Sequence, residues 1–162
     1  MATHKRKCYI YQDNYTEDAY IAPLVETKGN GDAVEVHGGV RFTYKPMTVM
    51  EQVKYNTSDK DTDAEWHKKK AAMLADRVTA WNLTDSADKP LPIRADVMLR
   101  LIPALFTRMV AIVWGTSETD IDPNWSEAKQ AAETETIMEA KAAGLSPGVA
   151  KEVDDEKNSA AG

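Results

Sequence analysis

A chain of 162 residues, 43% hydrophobic, is long enough to bury one core without metal or disulfide staples, and its single cysteine, Cys8, excludes an intrachain disulfide. The net charge of −6 is unevenly spread: residues 116–162 carry 11 acidic and 4 basic side chains, leaving 15 acidic and 16 basic in residues 1–115. A near-neutral body with an acidic tail offers nucleic acid no long-range attraction, so Lys5-Arg6-Lys7 and Lys68-Lys69-Lys70 read as solvated runs.

The basic start leads into the mixed segment Cys8 to Asp13 rather than an apolar run with a small-residue cleavage site. No signal peptide is expected, and a reducing intracellular setting fits. Tyr9-Ile10-Tyr11 and Ala19-Tyr20-Ile21 are short β-favouring runs around an Asp13-Asn14 turn, which predicts a small hairpin. A clearer hairpin follows, with Leu24 to Thr27 and Val34 to Val36 flanking Lys28-Gly29-Asn30-Gly31-Asp32. After the His37-Gly38-Gly39 break, Val40 to Tyr44 alternates, placing Val40, Phe42 and Tyr44 on one face of a strand. Pro46 stops it, and Thr48 caps a short helix from Val49 to Tyr55.

The polar connection from Asn56 to Thr62 precedes a helix predicted from Ala64 to Trp81, capped by Asp63. Trp66, Lys70, Met73, Leu74, Arg77, Val78 and Trp81 fall at helical spacing there. Asn82 to Pro90 is a turn segment, and Pro92 pushes Leu91 towards an extended conformation. From Val97 to Trp114 the chain is apolar almost all round its predicted helix, with Asp96 or the residues just before it expected to cap its first-turn amides and Gly115 as its stop. Pro103 inside this run predicts either a bend near Leu99 to Pro103 or two shorter helices. A membrane span needs about 20 uninterrupted apolar residues, and Arg100, Arg108 and Pro103 interrupt this one. Two readings stay open for it: the central core helix, or a surface for another copy or for a partner's apolar helix.

Beyond Gly115 a polar loop leads to an Ala/Glu-rich helical pattern from Trp125 to Ala143, anchored at most by Trp125, Ile137 and Met138. Gly144 to Gly148 breaks it, residues 149–162 have the composition of disorder, and the region from 116 onwards is expected to be loosely attached. The whole reads as an α+β fold: N-terminal β-hairpins forming a small antiparallel sheet, then a helical C-terminal half. Residues 1–48 are the β-rich part, 49–115 the helical core of the same domain, and 116–162 an acidic, partly helical tail.

Chemistry-bearing clusters are sparse. His4, His37 and His67 start no metal-spaced pair, and Gly29-Asn30-Gly31 and His37-Gly38-Gly39 lack the lysine and the strand-to-helix order of a phosphate cradle. Asp59, Asp61 and Asp63 alternate as in a calcium loop, but Ala64 and Lys70 occupy the glycine and bidentate glutamate positions. The expectation is a binding protein, not an enzyme, with no cofactor and no metal.

One resemblance sharpens this. Arg77-Val78-Thr79-Ala80-Trp81-Asn82-Leu83-Thr84-Asp85, then Lys89-Pro90-Leu91-Pro92-Ile93 and an apolar helix ending near Gly115, resembles the tail assembly chaperones of long-tailed bacteriophages. Arg41 to Thr48 is similar to the aromatic, proline-ended strand of that family, so the likeness spans roughly residues 40–115. Asn82 stands where the family usually has aspartate, and Ser86-Ala87-Asp88 lacks its turn glycine. The resemblance implies a non-enzymatic protein of the infected host's cytoplasm that coats the tape measure protein, self-associates, and yields to tail tube subunits, so that it is absent from the mature virion. The contact residues expected on that basis are Met98, Leu101, Leu105, Met109, Ile112 and Trp114. A structural virion component, at the head–tail joint or on the tail tube, is the alternative. Such families also make a longer product by ribosomal frameshifting, and Glu156-Lys157-Asn158 can be encoded with a slippery A AAA AAC heptamer.

Overall fold

The computed structural model describes residues 10, 11 and 13–142. Tyr9 of the first expected strand, the breaker at 144–148 and the segment 149–162 lie outside the described residues. Strands β1 (Glu17–Ile21), β2 (Leu24–Thr27), β3 (Ala33–His37) and β4 (Val40–Tyr44) come first. Helices α1 (Val49–Lys54) and α2 (Asp63–Arg77) follow, then β5 (Val78–Trp81), α3 (Ala95–Met98), α4 (Pro103–Trp114) and α5 (Glu127–Ala142). This is the expected α+β arrangement, an N-terminal antiparallel part followed by helices.

Sheet order is β1-β4-β5, all antiparallel, with β2 and β3 forming a separate hairpin. Ala19 opposes Phe42 and Ile21 opposes Val40, so these side chains share the sheet face that also carries Tyr44. All five are buried in one core with Met73 and Leu74 of α2 and Leu105, Phe106 and Met109 of α4. The alternation read from Val40 to Tyr44 therefore marks the inward face correctly. Gly39 admits the chain beside Tyr20, because a Cβ there would lie 2.9 Å from the phenolic oxygen. In the β2–β3 turn, Gly31 takes φ +87 and donates to Lys28 O at 2.9 Å, as a glycine-bearing hairpin turn requires.

Four sequence expectations need correction. Ile10 and Tyr11 form no strand, and β1 pairs with β4 instead of with an earlier segment. The second helix stops at Arg77, and Val78 to Trp81, expected to continue it, is strand β5 on the edge of β4. Val78 and Trp81, three apart, have a helical spacing that a regular strand would put on opposite faces; a register shift between Thr43 and Tyr44 lets both pack on the core, and pairing with Tyr44 and Phe42 makes the segment a strand. Thr62, not Asp63, caps α2: its hydroxyl accepts from Glu65 N while the Glu65 carboxylate accepts from Thr62 N, a reciprocal capping box. Asp96 lies in the first turn of α3, where its carboxylate pairs with Arg94 at 3.0 Å rather than capping the helix.

The apolar run is two helices, one of the two outcomes expected from Pro103. α3 ends at Met98, the chain turns through Leu99 to Ile102, and α4 begins with Pro103 in its first turn. There the missing amide costs nothing, because first-turn amides have no partner inside the helix. Gly115 ends α4 in the left-handed conformation at φ +96.

Among the described residues, 119–122 are not loosely attached as expected. Asp120 N donates to Tyr20 O at 2.9 Å, Tyr20 N donates to Thr119 Oγ1 at 2.7 Å, and Ala22 N donates to Asp120 Oδ2 at 2.9 Å. These bonds cover part of the outer edge of β1, which would otherwise present unpaired backbone groups. Asp122, 2% exposed, accepts from Arg41 Nε at 2.7 Å and Nη2 at 3.1 Å. The stretch from Thr116 to Asp120 before it is polar throughout, and only the tertiary fold reveals that this segment grips the sheet. In α5, Met138 is 65% exposed and does not anchor the helix.

Candidate functional site

The connection from β5 to α3 positions the apolar helices, and it is built from the residues that carry the family resemblance. Trp81 Nε1 donates to Leu91 O at 2.7 Å, and Leu91 N donates to Leu83 O at 2.9 Å. Between them the Asp85 carboxylate accepts from Ala87 N and Lys89 N, at 2.8 and 3.0 Å. Asp88 adopts φ +59, so it fills the left-handed turn position that a glycine would otherwise take. Asn82 Oδ1 accepts from Arg41 N at 2.8 Å, and its Nδ2 donates to Gly39 O at 3.2 Å. An aspartate could make only the first of these bonds.

Against this frame the six expected contact residues divide. Met98 and Met109 are 0% exposed, Ile112 2% and Leu105 4%, all within the chain's own core. They are therefore not presented by the folded chain as a surface; the sheet and α2 provide enough cover for most of α4. Leu101 and Trp114 are only partly buried and pack at the rim of that core. α4 spans about 18 Å from Pro103 to Trp114, so these two stand at opposite ends of it.

Each lines a groove. Leu101, Ile102 and Leu105, with Leu83, Leu91 and the Gly38-Gly39 backbone, line one of about 360 Å³ at the N-terminal end of α4. Trp114, Val110 and Ala111 of α4, with Trp66 and Lys70 of α2, line another of about 240 Å³ at its C-terminal end. Leu99, 46% exposed, and Ile102, 39% exposed, add apolar surface on the turn between α3 and α4. Of the two arginines, Arg100 is exposed and faces the first groove, whereas Arg108 turns to Ser117 and Asp120 and helps hold the segment after α4.

A further exposed patch was not singled out from the sequence. Val49, Met50 and Val53 on α1 are 76%, 74% and 65% exposed. The signal was present, since a helix of six residues with three apolar side chains has too little circumference to bury them all. Among the described residues, no group of three His, Cys, Asp or Glu side chains is placed to hold a metal ion, and no helix is long and apolar enough to cross a membrane.

Comparison of the chain with protein-family models, with curated proteins and with solved structures found no match.

Proposed function

We propose that this chain is a non-enzymatic bacteriophage tail assembly chaperone that binds the tape measure protein through the exposed edge of its α3–α4 unit. The observation that carries the reading is the pair of apolar grooves at the two ends of α4, each lined by one partly exposed residue of the contact set, Leu101 or Trp114. A second support is that Trp81, Asn82 and Leu91, inside the segment that resembles those chaperones, order the connection that leads into this unit: Trp81 Nε1 holds Leu91 O, and Asn82 ties the end of β5 to Arg41 of β4. A long apolar helix needs its stripe covered until it assembles, and a groove between helices takes such a stripe through side chains spaced one turn apart. The contact set is revised to Leu99, Leu101, Ile102 and Trp114, because the buried four belong to the core. On this reading the protein acts in the host cytoplasm, gives way to tail tube subunits, and is missing from finished particles.

The test is co-expression with the tape measure product. Its yield in the supernatant is expected to rise with the wild-type chain and to fall back with Ile102→Asp, whose position is exposed and compatible with an intact fold. An unchanged yield with the wild-type chain overturns the proposal. One observation favours the alternative of a structural virion component: the β2–β3 hairpin stands apart from the main sheet with Val25 53% and Val34 38% exposed. Mass spectrometry of purified particles separates the two, since a chaperone is absent from them and a structural component is present.

A further inference from the structure

The groove at the C-terminal end of α4 contains a charge that apolar contact does not account for. Lys70 is 6% exposed, on the inward side of α2 beside Ala71, Met73 and Leu74. Its Nζ lies 3.5 Å from the centre of the Trp114 ring and donates one long bond, 3.4 Å, to Tyr55 O. The ion pairs among the described residues do not include it: the adjacent Lys69 pairs with Asp61 at 2.9 Å, and His67 stacks on Phe106. An ammonium has three donors, and an aromatic face plus one weak bond compensates little of the cost of burying it. That burial lowers the pKa of Lys70, and the neighbouring charge of Lys69 lowers it further.

The walls around this ammonium are helical ridges. Trp66 and Lys70 are one turn apart on α2; Thr107 and Ala111, and Val110 and Trp114, are each one turn apart on α4. Parallel rows at this spacing receive the ridges of a third helix. The walls ask for apolar side chains, and the Lys70 ammonium, against the Trp114 ring that lines them, asks for an anion. We infer that the α2–α4 groove docks a partner helix presenting one acidic side chain between apolar ones, its carboxylate pairing with the Lys70 ammonium. This deepens the partner reading of α4 and rests on it, adding that the groove selects for a carboxylate within an apolar stripe.

Two synthetic amphipathic helical peptides, identical in a leucine-rich face and differing only by glutamate or glutamine at its centre, test this against the full chain by calorimetry. The wild type is expected to bind the glutamate peptide about tenfold more tightly, the size of one charge-assisted hydrogen bond. Lys70→Met, which keeps the stem and removes the charge, is expected to erase that preference, and Lys70→Arg to keep most of it. The wild-type comparison needs no variant, so it stands even if a substitution at this buried position unfolds the chain. Equal affinities for the two peptides overturn the inference while leaving an apolar partner surface intact. A preference that survives in folded Lys70→Met also overturns it. Binding of neither peptide at millimolar concentration removes both the inference and this groove from the partner surface. Saturable binding of hexanoate without either peptide replaces the helix by a small amphipathic acid and overturns the inference as well.

Discussion

Asn82 extends β5 with its side chain: beside its backbone N–H bond to Arg41 O, the amide supplies an acceptor to Arg41 N and a donor to Gly39 O. Asn82→Asp keeps the acceptor and sets a carboxylate against a carbonyl oxygen, so a loss of about 1 kcal/mol is expected in urea unfolding, and Asn82→Ala should lose more. Asp122 has the opposite character, a buried carboxylate held by charge. Burial pushes its pKa up, but the Arg41 guanidinium and the Asn124 amide outweigh burial and hold it below the ordinary aspartate value. A carboxylate depressed in the folded state contributes stability that is complete above the unfolded pKa of about 3.9 and is lost as pH falls through the folded value. Asp122→Ala should therefore cost about 1.5–3 kcal/mol at neutral pH and flatten the dependence of stability on pH below about 4. An unaltered acid slope in the variant would show that the Arg41 pair contributes nothing to it.

At the level of elements, boundaries follow from hydrogen-bond satisfaction rather than from propensity. The Thr62–Glu65 box serves two amides at the start of α2, so Thr62→Ala should lower stability by about 0.5–2 kcal/mol. Pro103 and Gly115 bracket α4, and their substitution should differ sharply. Pro103→Ala is expected to be nearly neutral, since the position needs no amide. Gly115→Ala forces a Cβ into the left-handed region at φ +96 and should cost about 1–2 kcal/mol, read as a lower thermal midpoint. Had Pro103 been an interior kink, its replacement would have stabilised the chain by straightening one long helix.

The molecule as a whole uses one sheet face, α2 and α4 to make a single core, and the distribution of stability should follow it. Met109→Ala, at a position with no exposure, is expected to lose about 2–5 kcal/mol because the cavity has no route to collapse. Leu99→Asp, on the turn outside the core, should leave the unfolding midpoint within about 0.5 kcal/mol of wild type while abolishing the gain in tape measure yield. Loss of both folding and yield in Leu99→Asp would place that turn inside the core and remove it from the contact set.

Much of this architecture was legible in the order of residues. The β2–β3 hairpin, the inward face of Val40, Phe42 and Tyr44, the Thr48 cap, the division of the apolar run at Pro103 and the stop at Gly115 all depend on interactions within a few residues, which composition and spacing encode. Tertiary structure decided the rest. Whether Val78 to Trp81 extends a helix or adds a strand depends on β4, and the grip of residues 119–122 on β1 and β4 joins positions 81 to 99 residues apart that no local pattern connects. The same holds for the apolar helices: hydrophobicity required that Met98, Leu105, Met109 and Ile112 be covered, but it could not say by what. The fold covers them itself, and so leaves Leu101 and Trp114 at the two ends of α4 as the residues of that set still open to a partner.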